Sequence, residues 1–329
     1  MPIMKLASIL NVVISIVTLA VMSVAAHAEN WPTKGITMVV PFEAGGGHDA
    51  MARMVAEGLG ARLGQSVIVT NKPGASGMIG AEFVTRAAPD GYTVLFASPS
   101  ETINASIVYK SMRYDPEKSL TPVTLAGTSP IVVVAYPGSG FKSIGDLIAQ
   151  AKAQTGSVSF GTAGSVGSTR LAGELLAKMA MIDLVHIPYK GAGPAINDVL
   201  GGQIPVAIVG IAPVMSHIRA GKLVPLATTQ RNRVAWAKDV PAVSETPGLQ
   251  GFEAVHWMGV FLPAKTPTDV VDRLQQEIAA VLREPDRRTR LASIGIEPVG
   301  NTPAEFKAFL VADRERFVRM FQAAGLKPE

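Results

Sequence analysis

The chain of 329 residues contains no cysteine. That excludes disulfides, thiolate nucleophiles, cysteine-rich zinc sites and a lipid anchor attached at the end of a leader. Aromatic residues make up 6% of the chain, too few for a sugar-stacking site. Charge is thin and mixed, with 30 Lys and Arg against 26 Asp and Glu. No clustered basic tract with interleaved aromatics stands out, so nucleic acid is not an expected partner. Catalytic signatures are missing as well: the five histidines fit no H-E-x-x-H spacing, and there is no G-x-S-x-G elbow. The chain therefore reads as a non-enzyme, with no metal and no cofactor expected.

One apolar run is long. A single positive charge at Lys5 precedes residues 6–24, which are uncharged and polar only at Asn11, Ser15, Thr18 and Ser23. Ala26-His27-Ala28 follows, with small residues at the −3 and −1 positions read by signal peptidase. This is the three-part pattern of a secretory signal peptide over residues 1–28, with cleavage before Glu29. A retained anchor is the alternative, which the small-x-small site and the immediate polar change disfavour. With Lys5 removed, the formal charge falls from +4 to +3, that is, 29 Lys and Arg less 26 Asp and Glu. No other run approaches the roughly 20 residues of a spanning helix. A soluble secreted chain of about 300 residues without disulfides must rely on packed cores, and its length predicts two domains.

Short β-branched runs alternate with amphipathic stretches, as in βα units around parallel sheets. Strands are expected at 36–40, 67–70 and 92–96, with helices over 49–63 and 77–87. A similar series begins at 131–134 and continues with a helix over 143–153, capped by Ser143 with Asp146 three residues on. Strands at 158–160, 184–187, 206–209 and 224–227 and helices at 168–179 and 194–200 complete that block. A short helix ends near 220–222. Beyond the Pro/Gly-rich stretch 241–251 lie a strand at 257–262 and three helices over 268–283, 286–294 and 302–323. The expected organisation is lobe 1 from 29–130 plus 256–329 and lobe 2 from 131–255. Two chain crossings, near 130 and 255, join them. A ligand would sit between the lobes, at the carboxyl ends of the strands.

The most informative segment is Pro41-Phe-Glu-Ala-Gly-Gly-Gly-His-Asp49, between a strand and a helix. Its glycines permit a tight turn and close backbone approach, and the helix that follows offers free N–H groups to a carboxylate or phosphate. Its spacing matches neither G-x-G-x-x-G nor a P-loop. The alternative is a plain glycine turn with Asp49 as helix N-cap. A second such loop, Gly161-Thr-Ala-Gly-Ser-Val-Gly-Ser-Thr169, precedes Arg170 and another helix. Two of these loops on opposite blocks look like the jaws of an anion clamp. Arg170 is a candidate for gripping a second ligand carboxylate through two parallel bonds, against the alternative of an exposed arginine on the helix flank. Tyr189 could wall the pocket, and Lys190 either attracts anions or is an ordinary surface lysine.

These segments together resemble the Bug-type extracytoplasmic receptors of the tripartite tricarboxylate transporter family. The resemblance runs from Trp31-Pro through Val40 to Gly46, Asp49, Ala52-Arg53, Asn71-Lys-Pro-Gly-Ala-Ser-Gly77 and Pro89-Asp-Gly-Tyr-Thr93. It continues at His186-Ile-Pro-Tyr-Lys-Gly191, Ala220-Gly-Lys222, Pro263-Ala-Lys-Thr-Pro267 and Pro303-Ala-Glu-Phe306. It implies a type II periplasmic-binding-protein fold of class α/β, two α/β lobes joined by two crossing strands. It implies a periplasmic monomer that captures a small carboxylated ligand and delivers it to multi-spanning membrane transporter subunits; presenting the ligand to a membrane signalling receptor is the alternative. The implied contacts are Phe42, Ala44, Gly45, Gly46 and Asp49 on one lobe and Ser165 and Ser168 on the other, completed by Ser98, Thr102 and Tyr189. The chain departs from the family pattern in two places. Arg170 stands where histidine is common, and Val209-Gly210 where many members carry an aspartate.

Overall fold

The computed structural model describes residues 31–234 and 237–326, so the signal-peptide segment lies outside the described residues. Among the described residues, ten strands are interspersed with helices in chain order. The first lobe opens with β1 (Ile36–Val40), α1 (Gly47–Leu63), β2 (Val67–Asn71), α2 (Met78–Thr85) and β3 (Thr93–Ala97). After the short helices α3 (Ala105–Val108) and α4 (Pro116–Ser119), the long strand β4 (Leu120–Ala135) carries the chain into the second lobe. There follow α5 (Ile144–Ala153), β5 (Ser159–Ala163), α6 (Ser168–Ala180), β6 (Val185–Tyr189), α7 (Ala192–Leu200), β7 (Val206–Gly210), α8 (Met215–Arg219) and β8 (Val224–Thr228). The return strand β9 (Val255–Pro263) precedes α9 (Thr268–Arg283), α10 (Pro285–Ser293), β10 (Glu297–Pro298) and α11 (Pro303–Ala323).

The strands form a path in the order β2-β1-β3-β9-β4-β7-β5-β6, with β8 and β10 paired to β4. β1 lies parallel to β2 and β3, and β5 lies parallel to β6 and β7, as expected of two βα series. The two long strands are antiparallel to their neighbours. β4 pairs with β9 from Leu120 to Pro130, then with β7 from Ile131 to Ala135. Its sixteen residues thus serve both lobes, and β9 runs back beside its first part. These are the two crossing strands of a type II binding-protein fold.

Period-two alternation explains where the core sits. Ile131 and Val133 of β4 join a cluster with Phe160, Leu171 and Leu176, while Val132 and Val134 face the opposite layer with Ile196, Val199 and Val209. In the first lobe Met38 and Val40 pack against Met51, Val55 and Leu59 of α1 and Leu274 and Ile278 of α9. Helix α11 is pinned to β9, since the fully buried Trp257 donates its indole N–H to Asp313 Oδ2 at 2.6 Å. The same helix reaches across to α6, placing Phe317 and Met320 in one cluster with Leu171 and Leu175. Among the described residues no helix is long and apolar enough to cross a membrane.

Candidate ligand-binding cleft

Helix α1 starts at Gly47, with Gly46 at the N-cap in an extended conformation and no side-chain cap bond. Asp49 is therefore not the N-cap but a first-turn residue that reaches back to the loop. Its Oδ2 accepts from the Gly45 amide at 3.1 Å and from Arg53 Nε at 3.0 Å. Its Oδ1 accepts from Asn71 Nδ2 at 2.9 Å, and the same amide nitrogen donates to the Phe42 carbonyl at 3.0 Å. Burial alone would raise the Asp49 carboxyl; the donors Arg53, Asn71 and Gly45 outweigh it and hold it below its usual value. Gly45 sits at φ +87°, a conformation that glycine adopts without strain. The aspartate and this glycine shape the loop.

Helix α6 opposes it in the same manner. Gly167 caps it without a side-chain bond, so the first-turn amides of both helices are left for something other than their own caps. Both N-termini face one cleft of about 640 Å³, open solvent included. Phe42, Glu43, Gly46, Gly47, His48 and Ser100 line it from the first lobe, and Gly167, Ser168, Thr169, Ala192 and Gly210 from the second. Ser129, His256 and Met258 of the crossing strands form its floor. Ser168 Oγ, His48 Nε2 and His256 Nδ1 are buried with no hydrogen-bond partner among the described residues. Desolvated polar atoms without partners are costly, and three of them around one cleft mark where a polar ligand would satisfy them. No group of three potential metal ligands occurs among the described residues.

Of the residues expected at the clamp, Phe42, Gly46 and Ser168 line this cleft. The others are placed elsewhere. Ala44 and Gly45 are exposed on the outer turn of the loop. Ser98 is buried and donates its hydroxyl to Glu101 Oε2 at 2.6 Å, and Thr102 Oγ1 donates to the Ser98 carbonyl at 2.5 Å. Tyr189 gives its hydroxyl to Asp198 Oδ2 at 2.6 Å. Ser165 bridges the lobes: its amide donates to Ser76 Oγ at 2.9 Å, and its hydroxyl lies 3.1 Å from Ser76 Oγ and 3.3 Å from the Tyr109 hydroxyl. Arg170 points away from the cleft. It donates to the Ser165 carbonyl at 2.6 Å and to Glu174 at 3.4 Å, and it lines a separate, mostly apolar cavity of about 420 Å³ with Asn104, Phe317 and Phe321. Lys190 is exposed.

Ser100 lies in the loop from Ser98 to Thr102 expected at the pocket, whereas nothing local in the sequence marked Ser129, His48 and His256, which line the cleft. Ser76, which meets Ser165, did not stand out either. The motif through Asn71 to Gly77 held the signal for Ser76, since Ala75 and Ser76 both take positive φ there and swing the serine towards the second lobe. The segment around Ser98 encloses an acid, Glu101, which is fully buried. Burial pushes Glu101 up to about 8, against the two Ser98 donors that favour its ionised form. A folded-state value above the ordinary 4.5 means that the native chain holds an extra proton between about 4.5 and 8. Stability therefore falls as pH rises through that window. Glu101→Gln keeps the shape without the charge and is expected to flatten this decline. Urea midpoints of parent and variant between pH 5 and 9 check it; parallel curves would show that Glu101 titrates normally.

Residues 51–326 match the family described as "Tripartite tricarboxylate transporter family receptor", TctC. Protein BugT of Bordetella pertussis is 33% identical over 325 residues, covering 98% of this chain and 99% of BugT. Among solved structures, R. palustris Rpa4515 with adipate superimposes with a TM-score of 0.88 at 31% identity, covering 91% of this chain and all of that one. The periplasmic binding protein BugD gives 0.86 at 33% identity, again over 91% of this chain and 100% of its own. MatC from Rhodopseudomonas palustris with bound malate gives 0.82 at 28% identity, over 89% of this chain and 100% of that one. With the fold, the two-jawed cleft and a family match over most of its length in agreement, this chain belongs to the TctC receptors of the tripartite tricarboxylate transporter family, which are transport proteins and not enzymes.

Proposed function

We propose that this protein captures a small dicarboxylate between its lobes in the periplasm and delivers it to the membrane subunits of a tripartite tricarboxylate-type transporter. The observation that carries the reading is the convergence of the α1 and α6 N-termini, each without a side-chain cap, on one cleft that also holds the unpartnered Ser168 hydroxyl. Such ends attract anions through free N–H groups and the helix dipole. The relatives solved with adipate and with malate support a dicarboxylate as the ligand class. In this reading, cleavage before Glu29 releases a monomer with lobe 1 formed by 29–130 plus 256–329 and lobe 2 by 131–255.

A thermal-shift panel of malate, adipate, citrate and hexanoate tests it. At 100 times its Kd a ligand stabilises the folded chain by about 2.7 kcal/mol, which a melting curve resolves. At least one dicarboxylate is expected to raise the melting temperature and to be recovered chemically unchanged. No shift with any carboxylate, or turnover that tracks with the purified protein, would overturn the reading.

A further inference from the structure

A dicarboxylate brings two negative charges into the cleft, and the helix N-termini answer one end of it. What meets the other end is not an arginine, because Arg170 is committed to the Ser165 carbonyl behind the second loop. Among the described residues lining the cleft there is no Lys or Arg, and Glu43 adds a negative charge at its rim. The groups there that are able to become cationic are His48, at the start of α1, and His256, on β9. They are 208 positions apart in sequence, yet their rings meet edge to face with centroids 4.8 Å apart. His48 Nε2 and His256 Nδ1 have no partner among the described residues, and both residues line the cleft.

We propose that His48 and His256 form the subsite for the second carboxylate of the ligand, and that this carboxylate binds together with one proton taken from solution. The inference rests on the dicarboxylate reading above. Without ligand both rings are neutral. Burial first, and then the neighbouring His256, holds His48 well below its ordinary value, and burial holds His256 at about 4. A carboxylate placed against them reverses the balance, because an opposite charge within about 4–6 Å favours the imidazolium. The proton joins a bare ring nitrogen, and the resulting cation pairs with the carboxylate, so the cleft gains one net negative charge from a dianion instead of two.

Other titratable groups around the pair are engaged or carry the wrong sign. On α1, Asp49 is held by Arg53, Asn71 and the Gly45 amide. The buried Glu101 is held by the Ser98 amide and hydroxyl. Glu43 at the rim is an acid and offers no cation. From the second lobe, Ser168, Thr169 and Gly210 bring no charge, and His186 Nε2 is bonded to Thr162 Oγ1 at 2.7 Å. The floor beside His256 is Ser129, its partner across the β4–β9 ladder.

Isothermal titration of the parent chain with malate, adipate and hexanoate, in buffers of different protonation enthalpy at pH 7, reads the proton directly. Dicarboxylate binding is expected to take up between about one half and one proton, with hexanoate taking up none, and the dicarboxylate Kd weakens by up to about tenfold per pH unit above 7. His48→Asn and His256→Gln are each expected to reduce the uptake and weaken dicarboxylates about tenfold or more, a larger loss than for hexanoate. Dicarboxylate binding without proton uptake overturns the inference and leaves the carboxylate reading standing; this measurement needs only the parent chain. Uptake that survives when both histidines are replaced together also overturns it, since the proton then resides on another group, such as the buried Glu101, or on the ligand. Hexanoate binding without dicarboxylate binding removes this subsite and the dicarboxylate reading but keeps a carboxylate clamp, and no carboxylate binding at all removes the clamp as well.

Discussion

Gly46→Val is expected to weaken dicarboxylate binding by about a hundredfold or more while leaving a cooperatively folded protein. Gly46 caps α1 at φ −80° and ψ 171°, an extended conformation that β-branched residues favour. A Cβ built there has the Glu43 carbonyl as its nearest neighbour, at 3.9 Å, so the fold does not object. The residue lines the cleft, and valine methyls would occupy the approach to the first-turn amides. Hydrogen bonds to a charged group contribute about 1.5–3 kcal/mol each, so blocking two of them costs roughly 3–6 kcal/mol. That corresponds to about a hundredfold at the lower bound. Gly45→Val is the informative contrast. It forces a side chain into φ +87° and disturbs the amide that Asp49 holds, so it lowers stability as well as affinity. Calorimetric titration with the tighter of malate and adipate, beside thermal melts, separates the two. A Gly46→Val affinity within threefold of the parent would remove the α1 jaw from the clamp.

Gly173→Ala is expected to destabilise the protein by about 2 kcal/mol, although alanine is the better helix former. The two effects oppose each other, and their sizes decide. Replacing a mid-helix glycine gains about 1 kcal/mol of propensity. Against this, a Cβ on Gly173 would lie 2.3 Å and 2.6 Å from ring carbons of Phe160 and 3.0 Å from Ile208 Cδ1. Phe160 is fully buried on β5, in the cluster that α6 covers. Overpacking of this kind costs about 1–3 kcal/mol, and contacts this short belong at the upper end. The net loss should lower the melting temperature by roughly 3 °C. A higher melting temperature in the variant would mean that α6 sits further from β5 than described.

The α/β class and most elements were legible because burial on both faces leaves continuous apolar runs, such as residues 36–40 and 131–134, and because helix starts carry local chemistry. Ser143 is an example: it caps α5 by accepting from the Asp146 amide at 3.2 Å. The first part of β4 was not legible. Pro122, Gly127 and Pro130 dilute its pattern, and register shifts at 122/124 and 125/127 break the alternation. The site divides along the same line. Gly46 and Ser168, which line the cleft, stood out because a strand–glycine–helix junction is a local signal. The direction of Arg170 was not legible, because it depends on the carbonyl of Ser165, which the turn of the loop places within reach. His256 carried no signal, since only the return of β9 beside β4 brings it to a histidine 208 positions earlier.

The sharing of β4 between both lobes bears on how the cleft could open. A loop connection can pivot freely about a few dihedral angles, whereas a strand hydrogen-bonded along its length resists pivoting and yields by twisting. β4 hands over from β9 to β7 between Pro130 and Ile131 without leaving the ladder, and β9 runs alongside up to that point. The register shifts near Pro122 and Leu125 are the places where this ribbon already bends. Lobe movement would therefore act as torsion on a two-stranded spring, with a restoring force set by backbone hydrogen bonds, and α11, packed on both lobes, would limit its travel.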